Sequence, residues 1–163
     1  MAKSIFFSIL LAFLLTACYS FTGGSVPAHL KTLQIMYIED NSGQGNPLYR
    51  EELNLKVAQR FRDDNSFQLV DTRGDATLKV VITGITDAPV ALQAGEIERE
   101  RKVNVSCKVE YYDAVNRKQI WGKNFSNFQF YELANAQANR DEAVILAMEQ
   151  IAEELLLAVV SGW

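Results

Sequence analysis

The sequence predicts an α+β fold: a two-layer sandwich, with two helices packed on one face of a mixed sheet of four to five strands. Three observations predict it. Residues 103–111 alternate strictly, with Val103, Val105, Cys107, Val109 and Tyr111 on one side and Asn104, Ser106, Lys108 and Glu110 on the other, the period of a strand with one buried face. Two stretches instead repeat apolar residues every three to four positions, Leu53, Val57 and Phe61 early and Val144, Met148, Ile151 and Leu155 late, the stripe of a helix facing a core. The elements follow in the order β-α-β-β-β-β-α. The first β-α-β step favours a parallel crossover and the later strands an antiparallel meander.

The chain opens with a single basic residue, Lys3, and an apolar run of eleven residues, Ile5–Leu15. As a helix this run rises roughly 16 Å, too short for a bilayer core of about 30 Å. A basic start, an apolar stretch and small residues make a signal peptide. Its last residues, Leu15-Thr16-Ala17-Cys18, resemble the bacterial lipobox, in which an apolar residue and two small ones precede a cysteine that is alkylated by diacylglycerol before cleavage. The division expected is therefore a lipoprotein signal peptide over 1–17, a lipidated tether over 18–31 and a single domain over 32–163. The alternative is an ordinary secretory signal with a cysteine standing at the cut by chance.

Within the tether, Gly23, Gly24, Ser25 and Pro27 break any period, and His29 reads as a solvated residue. Thr32–Glu39 alternates with both faces fairly apolar, as an inner strand does. Residues 40–45 are rich in Asn, Ser and Gly and form a loop. Asn46-Pro47 starts a helix, since the Asn side chain accepts free amide hydrogens and proline loses nothing at the first helical position. The helix ends near Asp63-Asp64-Asn65. Phe67–Asp71 is a short strand, Arg73-Gly74-Asp75 a turn and Ala76–Thr86 a longer strand stopped by Asp87-Ala88-Pro89. Residues 87–98 form a loop, and a strand runs from about Arg99 to Tyr112. Residues 113–118 turn a hairpin, and Gln119–Tyr131 returns with a bulge near Gly122. Asn139 and Glu142 form a capping pair, opening a helix that runs to about Val160. The core expected from these periods joins Val103, Val105, Cys107 and Val109 to Val57, Phe61, Met148, Ile151 and Leu155.

The chain carries 16 Lys and Arg against 20 Asp and Glu, a formal charge of −4. Loss of Lys3 with the signal makes the mature chain more acidic still. A nucleic-acid binder would be basic, so nucleic acid is not an expected partner. No enzyme is expected either. His29 is the single histidine, which removes the common metal sets and any histidine dyad, and no cofactor is expected beyond the lipid on Cys18. Cys107 lies on the apolar side of its strand, where a thiol is structural. Gly23-Gly24 lacks the strand-to-helix setting of a phosphate loop. Two charged stretches remain, Glu96–Lys102 and Arg117-Lys118, each readable as a solvated rim or as a contact for an anionic glycolipid.

From the lipobox onward the residues resemble the lipopolysaccharide-assembly lipoprotein family LptE. The likeness runs through Cys18-Tyr19-Ser20-Phe21, Val26-Pro27-Ala28-His29-Leu30-Lys31, the strand Leu33–Ile38, Asn46-Pro47-Leu48, Phe67-Gln68-Leu69-Val70-Asp71 and Arg140-Asp141-Glu142. It covers nearly the whole chain, and its weight lies in the order of the motifs. The resemblance implies an outer-membrane lipoprotein, since Tyr19 and not aspartate follows the cysteine. It implies a partner, the LptD β-barrel, whose assembly it supports and whose lumen it occupies while lipopolysaccharide passes to the outer leaflet. It also implies basic glycolipid contacts at one end of the domain. One of those positions is Gln93 here, a lost charge, and the other falls at or beside Arg140. The candidate lipopolysaccharide contacts are thus Arg99, Arg101, Lys102 and Arg140. Strand alternation is expected to place Arg99 and Arg101 on one face and Glu98, Glu100 and Lys102 on the other. A large barrel has a polar inside, so the polar strand positions Asn104, Ser106, Lys108, Glu110, Asn124, Ser126 and Asn127 are the expected barrel surface. The alternative function is an outer-membrane lipoprotein of similar topology that builds a secretion pore or envelope scaffold without binding lipopolysaccharide. The family's longer polar C-terminal tail is missing after Trp163.

Overall fold

A computed structural model of the chain describes residues 26–90 and 98–161. Cys18 and the signal segment, Gln93, Glu96 and Trp163 lie outside them. The elements are β1 (Thr32–Ile35), β2 (Glu39–Asp40), α1 (Pro47–Asp64), β3 (Gln68–Leu69), β4 (Ala76–Pro89), β5 (Glu100–Asp113), β6 (Lys118–Glu132) and α2 (Ala136–Val160). The expected α+β sandwich with a mixed sheet is what forms. Its strand order is β3-β1-β4-β5-β6, with β2 also pairing β4. β1 runs parallel to β3 and β4, and β4, β5 and β6 form the antiparallel meander.

The expected inner strand over 32–39 is broken. Met36 N–H still reaches the Leu78 carbonyl at 2.9 Å, but pairing resumes only at Glu39 opposite Val81. The interruption leaves Tyr37 exposed and sinks Ile38 fully into the core. Gly74, in the turn before β4, sits where a Cβ would lie 2.6 Å from the Gln34 nitrogen and 2.7 Å from the Ala76 oxygen. Only glycine lets that turn close against β1.

One side of the sheet is covered by the helices. α1 buries Tyr49, Leu53, Val57 and Phe61, and α2 buries Ala143, Val144, Ala147, Met148, Ile151, Ala152, Leu155, Leu156 and Val159. They meet Leu78, Val80, Ile82, Val103, Val105, Cys107 and Val109 in one cluster that contains every expected core residue. Small residues at 143, 147 and 152 let the helix backbone approach closely. At the rim between the helices, Glu149 accepts from Lys56 and Arg60, each at 3.0 Å, and Glu153 lies 3.2 Å from Arg60. α1 starts as its sequence requires: the Asn46 side chain accepts from Leu48 N–H at 3.1 Å, and Asn65 closes the helix in the left-handed region.

Three local expectations are corrected. The second helix begins at Ala136, ahead of the expected cap at Asn139, after Asn135 turns left-handed at φ 57°. Asn139 does not cap it; its side-chain amide instead donates back to the carbonyls of Glu132 and Ala134. β4 does not stop at Asp87, because Asp87, Ala88 and Pro89 continue the pairing with Val103, Lys102 and Arg101. Proline is tolerated there because β2 pairs only as far as Ile82, leaving that edge without a partner strand among the described residues. The bulge expected near Gly122 falls at Ile120, the residue skipped between the pairs Tyr111–Trp121 and Tyr112–Gln119.

His29 is not a free tether residue. Its Nε2 lies 2.7 Å from Asp113 Oδ2 and 3.0 Å from the Asn116 side-chain nitrogen. Leu30 beside it is buried, and the backbone N–H groups of Lys31 and Thr32 donate to Asp75 at 3.0 and 2.9 Å. The chain entering from the N-terminal side is thereby tied to the β5–β6 turn. Asp113 is 6% exposed. Burial pushes its carboxyl up, but the Asn116 backbone, His29 and the Asn116 side chain outweigh burial and hold it at about 2.

Candidate functional site

The candidate site lies at the opposite end of the sheet, where β4 ends, β5 begins, β6 ends and α2 starts. Its centre is Asp87, and a bulge puts it there. Through Ile82 the even-numbered residues of β4 face the helices. Thr83 is skipped in the pairing, between Ile82–Cys107 and Gly84–Ser106, and its hydroxyl donates to the Ser106 carbonyl at 3.1 Å. Beyond it the odd-numbered residues face inward, first Ile85, which is buried, and then Asp87, which is partly buried. The single extra residue turns a carboxylate that would have faced outward towards the helices.

There Asp87 meets Arg140 from the first turns of α2. Arg140 Nε donates to both Asp87 oxygens at 3.0 and 3.1 Å, and Nη2 donates to Oδ2 at 2.8 Å. Nη1 reaches the Tyr49 hydroxyl at 3.1 Å and Nη2 the Gln44 oxygen at 3.4 Å. Tyr49 in turn donates to Asp141, and Tyr131 donates to Asp87 at 2.9 Å. Burial raises the Asp87 carboxyl, but the Arg140 fork, with Tyr131 beside it, more than offsets this and leaves it below its ordinary value. Tyr131 moves up, through burial and then its bond to Asp87. The network joins the loop before α1, α1 itself, β4, β6 and α2. It opens on a polar cleft of about 410 Å³ lined by Gln44, Asn46, Tyr49, Asp87, Gln137 and Arg140.

The four candidate basic residues share this end but not one surface. Arg101 pairs across the sheet with Tyr131, on the helix side, and adds to the charge felt by Asp87. Lys102 lies on the open face, its Nζ 4.9 Å from the centre of the Phe128 ring. Arg140 has only 15% of its side chain exposed and is engaged by Asp87. Arg99 is exposed and precedes β5, its carbonyl accepting from Leu133 N–H at 2.9 Å. The strand alternation expected for 98–102 therefore fails at its first residues: Glu98 is not opposed to Arg101, because pairing begins only at Glu100, and the Glu98 carboxylate reaches Arg101 Nε at 3.0 Å. Sequence reasoning missed Asp87, Tyr49 and Gln44 as partners of Arg140, and Tyr131 as a second partner of Asp87. The usable signal was Gly84, an isolated strand glycine that marks a bulge.

The open face of the sheet carries the polar positions expected of it, with one exception. Asn104, Ser106 and Ser126 form a closed ring of hydrogen bonds of 3.0–3.1 Å, and Lys108 pairs with Glu110 at 2.8 Å. Asn127 is the exception. It lies opposite Val105 on the helix side and donates to Glu154 at 3.1 Å. Two aromatics that alternation had left unassigned, Phe128 and Phe130, stand exposed on the open face, edge to face at 5.5 Å. Among the described residues no group of His, Cys, Asp and Glu is arranged to hold a metal ion. No helix among them is long and apolar enough to cross a membrane. Cys107 is a free, buried thiol, which burial, with a smaller push from Asp40, raises to about 12.

A family model described as LptE, lipopolysaccharide-assembly, matches residues 30–159. A search of curated proteins gives no match. Among solved structures, the rare lipoprotein B of Shewanella oneidensis is 17% identical with a TM-score of 0.54, the match covering 78% of this chain and 92% of that one. A lipoprotein B of Nitrosomonas europaea is 11% identical with a TM-score of 0.52, covering 85% and 90%. A protein of Chlamydia trachomatis, CT253, reaches a TM-score of 0.60 at 9% identity, covering 79% and 95%. At these identities the structures establish a shared fold.

Proposed function

Because this chain belongs to the lipopolysaccharide-assembly family LptE, we propose that it is an outer-membrane lipoprotein that partners an LptD-like β-barrel, supporting the barrel's assembly and the transfer of lipopolysaccharide. The family match across residues 30–159 carries this reading. The protein acts by binding, with no catalytic step and no cofactor beyond the acyl groups on Cys18. That lipid holds it at the membrane, facing the periplasm or within the barrel lumen. The open sheet face, with Asn104, Ser106, Ser126, Lys108 and Glu110, supplies the hydrogen-bonding surface that a polar lumen would accept.

Lipopolysaccharide carries phosphates, and this chain is net acidic, so attraction must come from a local set of cations. We assign the glycolipid contact to the end carrying Arg99, Arg101, Lys102 and Arg140. Within that set the roles differ. Arg140 is committed to Asp87, so a phosphate reaches it only by competing with a carboxylate already bound through the guanidinium fork. Arg99 is the exposed member, and Arg101 is held by Glu98. Changing Arg99 and Arg101 together to Ala should weaken lipopolysaccharide binding in a salt-sensitive way while fold and barrel association persist. Unchanged binding of the double variant at both low and physiological salt removes this site. A pull-down from detergent-solubilised envelopes tests the partner: a large β-barrel should be recovered, and a ring of the chain's own copies would instead indicate a pore or scaffold component.

A further inference from the structure

The β6 strand ends the sheet on the side away from β1, and among the described residues no strand pairs with its outer edge. Which of its backbone groups face outward follows from two bonds. Leu133 N–H donates to the Arg99 carbonyl, and Ala114 N–H donates to the Asp75 carbonyl. In an antiparallel ladder, pairs that exchange hydrogen bonds alternate with pairs that do not. With the register Cys107–Phe125 and Val105–Asn127, the odd-numbered residues of β6 from Trp121 to Tyr131 therefore bond to β5. The even-numbered ones, Asn124, Ser126, Phe128 and Phe130 among them, turn both N–H and C=O outward. The Ala114–Asp75 bond gives the same alternation from the other side of β5, whose even-numbered residues bond to β4.

These outward residues are all exposed, Phe128 at 47% and Phe130 at 50%. Edge strands are normally blunted by proline, by shortness, by a bulge in mid-strand or by charged side chains, and from Asn124 to Tyr131 β6 carries no charge. β6 is 15 residues long, contains no proline and is bulged only near its start, at Ile120. The Phe128–Phe130 pair lies on the same edge, on the open face, with Lys102 over the Phe128 ring. A row of unpaired backbone donors and acceptors beside exposed aromatics specifies its ligand by chemistry: an extended polypeptide, hydrogen-bonded along its backbone, with apolar side chains on alternate positions beside the rings.

We propose that the β6 edge, from Gly122 to Glu132, is a strand-addition site at which an extended segment of the barrel partner joins the sheet next to β6. The proposal rests on the partnership argued above. Strands within a closed barrel wall are paired on both sides, so the added segment comes from a loop or a terminal stretch of the partner. Phe128 and Phe130 fix its register by accepting its apolar residues on the open face.

Proline at an outward position removes one edge N–H while sparing the bonds to β5. The test uses the full-length lipidated chain co-expressed with the barrel. Asn124→Pro and Ser126→Pro are each compared with Asn124→Ala and Ser126→Ala, which remove the side chain alone. The proline variants should keep the parent's circular dichroism and lose about tenfold in barrel affinity relative to their alanine controls. A photo-crosslinker at Phe130 should trap the barrel chain at a site outside its wall strands. Proline variants that fold and bind the barrel as the alanine controls do would overturn the proposal. So would variants that lose only self-association in sedimentation, since the edge would then serve a second copy of this chain. If the parent itself recovers no barrel, the partnership fails first, and this site fails with it.

Discussion

Asp113 and Leu155 show two ways in which one side chain carries the fold. Leu155 is fully buried on α2, within the cluster that includes the inward faces of β4 and β5. Truncation to Ala removes apolar contacts and leaves a cavity, so Leu155→Ala should cost about 2–5 kcal/mol in chemical denaturation. A loss below about 0.5 kcal/mol, less than the transfer of the removed methyl groups alone costs, would mean that Leu155 is not in the core. Asp113 acts through charge. Its carboxyl falls from the ordinary 3.8 to about 2 in the folded chain. A carboxyl depressed by folding stabilises the native state fully above its unfolded value, and that contribution disappears as pH falls towards the folded one. The denaturation midpoint of the parent should therefore drop between about pH 4 and pH 2 more steeply than that of Asp113→Asn. Equal slopes across that window would show that the ties to His29 and Asn116 do not depend on the charge. Both residues stood out to different degrees in the sequence. The period of the last helix marked Leu155 as buried, whereas nothing local joins Asp113 to His29, 84 positions away.

At the scale of elements, periodicity was legible wherever a strand or helix ran unbroken. The meander, α1 and the body of α2 follow it, and the inward faces of β5 and of both helices are the ones their spacing gives. It was not legible where backbone geometry changes the count. The bulge at Thr83 reverses the facing of the part of β4 that follows it, and a simple alternation read through it assigns Asp87 to the wrong side. The start of α2 was misplaced because Asn139 has the composition of a cap but uses its amide on preceding carbonyls. The Asp87–Arg140 pair is the consequence of both features, since the bulge delivers one partner and the early helix start the other. Its contribution is measurable by a double-mutant cycle. Asp87→Ala and Arg140→Ala should each destabilise by about 1–3 kcal/mol, and the double variant by clearly less than their sum, because either single change strands a half-buried charge. Strict additivity would mean that the pair is screened by solvent and that Arg140 is open to an anionic ligand.

For the whole molecule the decisive relation is between the two ends of the sheet. The N-terminal segment is tied to the β5–β6 turn by His29 and to the turn before β4 by Asp75, while Arg99, Arg101 and Arg140 lie at the far end. A lipid on Cys18 would therefore anchor the domain from the turn end and leave the basic end remote from the attachment point. The seven residues between Cys18 and Val26, eight steps along the chain, can reach at most roughly 28 Å, which would keep the turn end of a lipidated chain near the membrane surface. Alkylation by diacylglycerol with an added amide-linked chain would give Cys18 three acyl chains. Each buried methylene contributes roughly 0.8 kcal/mol, and one chain alone holds only marginally, so three should retain the protein on the membrane through repeated washing. Mass spectrometry of the mature N-terminal peptide should find cleavage before Cys18 and a triacylated cysteine. Replacing Cys18 by Ser should release the folded domain from membranes without altering its circular dichroism, because among the described residues the buried core begins at Leu30. An unmodified Cys18, or a mature chain beginning elsewhere, would detach the domain from its anchor and remove the orientation argued from it.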